Sequence, residues 1–256
     1  MSSVKIQSLV ARRPERRIYD LGQMNLRQLV VAYATYPSIV LYAVLCLASI
    51  VGAVWFGALA QPARTITAVI AAIVIYPVVE YVLHRFVLHA RWLYKNPLTA
   101  DLWKRIHYDH HQDPQRLDVL FGSPSNTLLP IFILALPIGW AIGGASAALS
   151  ALATAFVLFM IYEFCHCVQH LNFTPKSAWL RRIKKHHMAH HFHNETGNFG
   201  ITSTFVDRLV GSLYEDGKEK PKSVHTYDLG YDEAEAGRYP WVAERSGPRR
   251  ERGSQA

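Results

Sequence analysis

Residues Lys184 to Gly200, KKHHMAHHFHNETGNFG, carry five histidines, His186, His187, His190, His191 and His193, within eight positions. Imidazole is among the commonest metal ligands in proteins, and each neutral ring offers one lone pair. In a helix, the spacing His187-x-x-His190-His191 sets the first ring three and four residues before the others. That is one face, so the rings can converge on a point. A histidine-rich tract or tag is the commonplace reading of such a block. It is disfavoured here because pairs and triplets recur far upstream, as His84-x4-His89, His107-x-x-His110-His111 and His166-x3-His170.

Half of the 256 residues are apolar, yet 27 are Lys or Arg and the formal net charge is +8. A basic excess can indicate nucleic acid, but here the charge sits between long apolar blocks, and no nucleic-acid partner is needed to explain it. The three cysteines, Cys46, Cys165 and Cys167, lie in or beside apolar runs. An odd count without a paired framework indicates reduced thiols and a polar side facing the cytosol. Cys165-x-Cys167 reads as packing rather than as a thiolate site. Asn172-Phe-Thr174 and Asn194-Glu-Thr196 match the glycosylation pattern by chance on that face.

The start of the chain is polar and carries Arg12, Arg13, Arg16 and Arg17, without the h-region and cleavage site of a signal peptide. Asn25 to Tyr36 suits a short interfacial helix. Ser38 to Ala60 is a run of about 23 residues without a charge, long enough to span a bilayer. After the polar break at Gln61 to Arg64, Ile66 to Leu83 makes a second span, with Pro77 as a potential kink. Glu80 near its end is costly in lipid and should face protein. Thr127 to Ile142 and Ala147 to Phe164, joined at Gly143-Gly144, read as a hairpin through the membrane. The tail from about Arg245 has the composition of disorder. Lys and Arg are concentrated in the N-terminal, middle and C-terminal segments, which four spans place on one side, the cytosol.

On that topology all ten histidines of the four clusters fall on the cytosolic side or at its edge. His166 and His170 are one helical turn apart. His84 and His89, five apart, are off-face in a straight helix unless the helix end frays or the pair is split between two metals. Ten rings exceed what one ion can hold, so the natural count is two ions with four to five rings each and open positions left. Ring nitrogens favour Fe, Zn, Cu or Ni over Mg or Ca. Asp109, Asp113, Glu163, Glu195 and Asp207 are candidate acceptors for the outer ring N–H groups. His186, His193 and His225 fall outside the pattern. Trp103, Tyr108, Tyr162, Phe199 and Phe205 are candidates to line a substrate path.

With these four clusters in this order, and a membrane hairpin between the second and third, the chain resembles the fatty acid hydroxylase/sterol desaturase superfamily of integral-membrane, histidine-rich di-iron oxygenases. It is closest to the fatty acid 2-hydroxylase branch. The telling segments are Glu80 to His89, His107 to His111 with Pro114, Arg116 and Leu117, and Trp179 to Tyr214, within a resemblance covering about Ile75 to Tyr214. The resemblance implies that His84, His89, His107, His110, His111, His166, His170, His187, His190 and His191 are the metal ligands. It implies two Fe ions, although zinc can occupy such sites in purified or crystallised samples. Where the branch has Tyr-Asp-x-Thr-His, this chain has Tyr162-Glu-Phe-Cys-His166. The first 30 residues cannot hold the haem-binding cytochrome b5 module of eukaryotic members.

The expected fold is therefore all-α, a multi-pass membrane protein with four transmembrane helices in two hairpins and a cytosolic helical cap holding a dimetal site. Residues 1–36 form a cytosolic segment with an interfacial helix, 37–214 the catalytic domain, and 215–256 a polar tail, partly disordered. The resemblance implies hydroxylation of a lipid acyl chain, next to the carboxyl carbon, using O2 and a separate electron donor of cytochrome b5, ferredoxin or reductase type. Both termini face the cytosol, in the plasma (inner) membrane of a bacterium or the endoplasmic reticulum of a eukaryote. The alternatives are sterol or carotenoid oxidation within the same superfamily and, outside it, a non-enzymatic metal transporter or haem-binding membrane protein. Transport sites usually sit at mid-membrane, where no span here has a histidine. A zinc hydrolase would carry His-Glu-x-x-His, which is absent, and would not require ten rings.

Overall fold

The computed structural model describes residues 19–246. The four arginines from Arg12 to Arg17 and the tail beyond Ser246 lie outside the described residues. The described residues contain no strand, only an isolated bridge between Asp20 and Arg116. Helix α1 (Leu26–Ala34) begins with a reciprocal cap, in which Asn25 accepts from the Gln28 N–H and the Gln28 side chain accepts from the Asn25 N–H. Helices α2 (Pro37–Trp55) and α3 (Pro62–Leu83) each begin with proline, whose missing N–H costs nothing in the first turn.

Among the described residues three stretches are long and apolar enough to cross a membrane, Pro37–Trp55, Pro62–Tyr94 and Leu117–His170. The third contains α8 (Pro124–His170), which is not a straight rod. Gly143 (φ −167°, ψ 28°) and Gly144 (φ 69°, ψ −152°) leave helical geometry, and only glycine adopts the second conformation at little cost. A Cβ on Gly139 would lie 2.5 Å from the Cα of Ala148, whereas these residues would be about 14 Å apart along a straight helix. The chain doubles back here, and the two arms of α8 run side by side. A Cβ on Gly143 would meet Arg64 Cβ at 2.9 Å, so this turn and the α2–α3 connection share one end of the bundle. The histidines gather at the other.

Helix α8 packs along both α2 and α3. On the α2 side the Tyr42 hydroxyl lies 2.6 Å from Thr127 Oγ1, and Phe156 and Leu152 are buried beside it. On the α3 side Ala68, Ala147 and Ala151 let the backbones approach closely. The outward faces expose Val44, Leu47, Val51, Ile70 and Val74. A belt of this kind is unfavourable in water and neutral in lipid. Because lipid tails are as apolar as these cores, the helices are held by van der Waals fit and a few hydrogen bonds rather than by expulsion of water.

Shorter helices make up the rest of the described residues. They are α4 (Arg91–Tyr94), α5 (Pro97–Trp103), α6 (Asp109–Gln112), α7 (Leu117–Leu120), α9 (Ala178–Phe192), α10 (Phe205–Val210), α11 (Glu233–Arg238) and α12 (Trp241–Ser246). The segment after Tyr214 is packed as far as residue 246. Leu229, Tyr231 and Val242 share a core with Tyr94 and Trp103, and Trp241 Nε1 donates to the Tyr94 carbonyl at 2.6 Å. Arg245 reaches Asp101 at 3.1 Å.

Candidate metal centre

Local departures from the α-helix set the histidine geometry. Helix α3 runs into a π-helical turn, His84–Leu88, closed by the His89 N–H donating to the His84 carbonyl at 3.1 Å. The widened turn brings residues five apart to the same side, so neither fraying nor a split between metals is needed to unite His84 with His89. A second π-turn, Lys104–Tyr108, widens α5 just before α6 and carries His107.

The ten rings form two groups. His110, His166, His170, His187 and His191 bring their ligand atoms within 4.8 Å of one another, as do His84, His89, His107 and His190. His111 joins the second set, with Nε2 3.0 Å from His107 Nε2, while its ring stacks on His191 at 4.0 Å. Each triplet therefore serves both groups, which corrects the expectation that it converges on one point. The i, i+4 pairs His107/His111 and His187/His191 stay together. His110 and His190 cross over, because consecutive helical positions diverge by about 100°.

The donor set suits a cation. His84 Nδ1 donates to the Phe199 carbonyl, His190 Nδ1 to the Gly197 carbonyl at 2.8 Å, and His111 Nδ1 to the Thr226 carbonyl at 2.7 Å. A carbonyl only accepts, so each of these neutral rings keeps its lone pair on Nε2. His107 Nε2 is approached by His84, His89 and His111 Nε2 atoms at 3.1, 3.0 and 3.0 Å. It can donate at most one proton, so the remaining nitrogens face one another with lone pairs at hydrogen-bond distance. A shared cation relieves that repulsion. In the other group His166–His110 and His170–His187 Nε2 pairs lie at 3.0 and 2.8 Å, and His191 Nε2 is buried without a hydrogen-bond partner among the described residues.

The rings are neutral at ordinary pH. Burial, followed by neighbouring imidazoles, holds His107, His110, His187, His190 and His191 well below the usual imidazole range. Burial takes His111 down to about 3 against the opposing pull of the Thr226 carbonyl. Neutral rings are the form that binds metal.

The outer acceptors are carbonyls, not the anticipated carboxylates. Asp109 pairs with Lys104 at 2.6 Å and Asp113 with Arg116 at 3.8 Å, and Glu195 is buried. Asp207 works one step back, accepting from the N–H groups of Phe199 at 2.9 Å and Gly200 at 2.7 Å. Glu80 faces protein as expected and accepts from Ile201 N at 2.5 Å, Thr202 N at 2.8 Å and the Thr202 hydroxyl. Four consecutive N–H groups are thus held by two buried carboxylates, and the same loop aims its carbonyls at His84 and His190. Asn198 allows the turn with a positive φ of 56°. The glycines of Asn-Glu-Thr-Gly-Asn-Phe-Gly signal a turn, but nothing in the sequence marks Thr226.

The other histidines stand apart. His186 Nε2 lies 2.8 Å from Glu215, His193 Nε2 donates to the Lys220 carbonyl at 2.8 Å, and His225 Nδ1 lies 2.9 Å from Asp228. All three cysteines are free and buried. The Asn194 side chain is buried and donates to the Pro221 carbonyl at 2.8 Å, so it is not presented for glycosylation.

A mostly apolar cavity of about 310 Å³ runs from the rings down between α3 and the two arms of α8. His84, His107, His110 and His166 line one end, and Ala72, Ile138 and Ala151 the other. Of the five aromatic candidates Tyr162 lines it. Phe199 packs on His84, His89 and His190, Trp103 and Tyr108 belong to the core shared with the tail, and Phe205 is exposed. Glu163 also lines the cavity. One of its oxygens accepts from the Gly122 N–H at 2.9 Å, and the other is buried without a partner among the described residues.

Comparison with known proteins agrees with this geometry. Ceramide very long chain fatty acid hydroxylase SCS7 of Saccharomyces cerevisiae is 29% identical over 164 residues, 60% of this chain and 39% of that protein. Dihydroceramide fatty acyl 2-hydroxylase FAH1 of Arabidopsis thaliana is 31% identical over 153 residues, 57% of this chain and 60% of its own length. Human fatty acid 2-hydroxylase is 26% identical over 144 residues, 54% of this chain and 37% of that protein. The chain thus spans less than two thirds of the length of these relatives. A solved structure of full-length scs7p, with only the hydroxylase domain visible, shares the fold with a TM-score of 0.53 at 23% identity, covering 79% of this chain and 71% of that one. The fatty acid hydroxylase family model matches residues 69–212, more than half of the sequence and a stretch that includes all ten rings, and the chain belongs to that family.

Proposed function

We propose that this protein is a di-iron, O2-dependent hydroxylase of a lipid acyl chain, acting as a fatty acid 2-hydroxylase. The observation that carries this reading is the placement of two buried imidazole groups at the mouth of an apolar cavity between membrane-type helices. The ten ligands are His84, His89, His107, His111 and His190 for one ion, and His110, His166, His170, His187 and His191 for the other. Buried neutral imidazoles suit a borderline metal such as iron or zinc, and the family favours iron.

Bound iron would supply the O2 chemistry, in which a C–H bond, O2, two electrons and two protons become C–OH and water. The chain's own residues bind, orient and exclude water. Ile75, Val79, Leu83 and Ile131 would hold the acyl chain straight, and Glu163 and Tyr162, beside His166, would hold its polar head. Such positioning is where a protein contributes most when a cofactor carries the hard step.

The chain would cross the membrane four times, through α2, α3 and the two arms of α8, with both termini in the cytosol. Residues 37–214 form the catalytic unit, and the segment after Tyr214 closes on it. The membrane is the plasma membrane in a bacterium or the endoplasmic reticulum in a eukaryote. Electrons come from a separate cytochrome b5-, ferredoxin- or reductase-type donor. The test is lipid mass spectrometry of cells with and without the protein, grown under ¹⁸O2, beside iron analysis of the purified protein. Labelled 2-hydroxy acyl lipid is expected. A labelled sterol or carotenoid would redirect the assignment, and an unchanged lipid profile would refute it.

A further inference from the structure

We infer that the two metal positions are unequal, and that the group containing His84, His89, His107, His111 and His190 holds its ion more firmly than the group containing His110, His166, His170, His187 and His191. The inference rests on the dimetal reading proposed above. The two groups look alike in number and in donor type. They differ in what stands behind the rings.

In the first group three outer nitrogens are fixed by carbonyls, those of Phe199 for His84, Gly197 for His190 and Thr226 for His111. Each contact sets the tautomer, aims Nε2 inward before any ion arrives, and raises the basicity of the ring. The carbonyls are themselves held. Asp207 and Glu80 clamp the N–H groups from Phe199 to Thr202. The strap bearing Thr226 is fastened to both histidine segments, because the Tyr227 carbonyl accepts from Gln112 at 2.6 Å and the Ser223 N–H donates to the His193 carbonyl at 2.8 Å.

In the second group the Nδ1 atoms of His110, His166, His187 and His191 are buried and have no hydrogen-bond partner among the described residues. No acceptor fixes their tautomers. A ring whose tautomer is free must select the metal-binding form on loading, and it releases that constraint when the ion leaves. Outer partners of metal-bound histidines typically change metal affinity about 10–100-fold, so the second ion should be the more exchangeable one. The easily exchanged ion lies between His166 and the α9 helix, and the firm one under the loop from Gly197 to Thr202.

The experiment uses full-length protein in detergent, saturated with Fe(II) without oxygen and then mixed with excess ferrous chelator. Release is followed by absorbance, and retained metal by mass spectrometry. Two phases of equal amplitude are expected, differing about 10–100-fold in rate. His191→Ala should leave the slow phase only, and His190→Ala the fast phase only. Asp207→Asn, which touches neither group directly, should speed the slow phase and leave the fast one unchanged. Release of both ions in one phase would overturn the inference while leaving the function intact. So would the reverse assignment of the two histidine variants, or an Asp207→Asn effect confined to the fast phase. Saturation at a single ion per chain would instead refute the dimetal reading itself.

Discussion

Replacing Glu80 by alanine tests how the membrane helix and the metal centre are joined. Glu80 is 6% exposed at the end of α3, and its carboxylate receives three donors from the loop that lies over the first histidine group. Hydrogen bonds to a charged group contribute about 1.5–3 kcal/mol each. Three would give about 4.5–9 kcal/mol if they were independent. They share one side chain and one loop, and water can reach part of the gap, so we expect a loss of about 4 kcal/mol. For a chain of this size that corresponds to a fall of roughly 8–16 °C in melting temperature. The loop also presents the Phe199 and Gly197 carbonyls to His84 and His190, so first-group iron should weaken about 10–100-fold. Thermal unfolding in detergent and metal titration read the two effects separately. Glu80→Gln keeps one acceptor oxygen for both backbone N–H groups and should fall between wild type and alanine. If Glu80→Ala melts within about 2 °C of wild type and retains its iron, the loop is held by something else and Glu80 does not couple the helix to the metal centre.

Metal-free protein should lose stability as the pH falls. Burial holds His110, His187, His190 and His191 well below the ordinary imidazole value of about 6.5 and His111 near 3, so between those values the unfolded chain binds protons that the folded chain refuses. Each such ring costs about 1.4 kcal/mol per pH unit below about 6.5, and a melting temperature equal at pH 7.5 and 5.5 would contradict this. Ala72→Phe at the deep end of the cavity should shift hydroxylation toward shorter acyl chains without changing iron content, as read by product chain length. Gly139→Leu would force a side chain into the Ala147–Ala148 backbone, where even a Cβ would come within 2.5 Å. It should destabilise the protein by about 3 kcal/mol or more, seen as a lower melting temperature and poor yield.

That the histidines of the four clusters gather at one place was legible in the sequence from their spacing. Ten histidines in four spaced clusters suit metal ligation and little else. The hairpin was legible too, through the paired glycines at 143 and 144 and the matched apolar runs beside them. Grouping was another matter. Which ring joins which group depends on helix phase at the level of about 100° per residue, and two π-turns shift that phase just before His89 and at His107. No local composition marks such a turn. Among the aromatic candidates, Tyr162 lines the cavity, whereas Trp103 and Tyr108 look like interfacial rings but are covered by a tail that reads as merely polar.

The outer partners were the least legible part, and physically they had to be. A carbonyl is present at every residue, so the sequence cannot advertise that Phe199, Gly197 and Thr226 offer theirs to histidines. What the sequence does contain is the means of aiming them. Asn198 can take a positive φ, and Gly197 and Gly200 admit close approach, because a Cβ at 200 would collide with the Ser203 carbonyl oxygen. Glu80 and Asp207 are the acids that such a loop needs once it is buried. The carboxylate in the second span is thus no lipid-facing anomaly. It is the far end of a chain of contacts that begins in α3, fixes the turn at Gly200, and ends with the lone pair of His84 directed at the ring of His107. The carboxylates of this centre therefore act on backbone amides rather than on imidazoles.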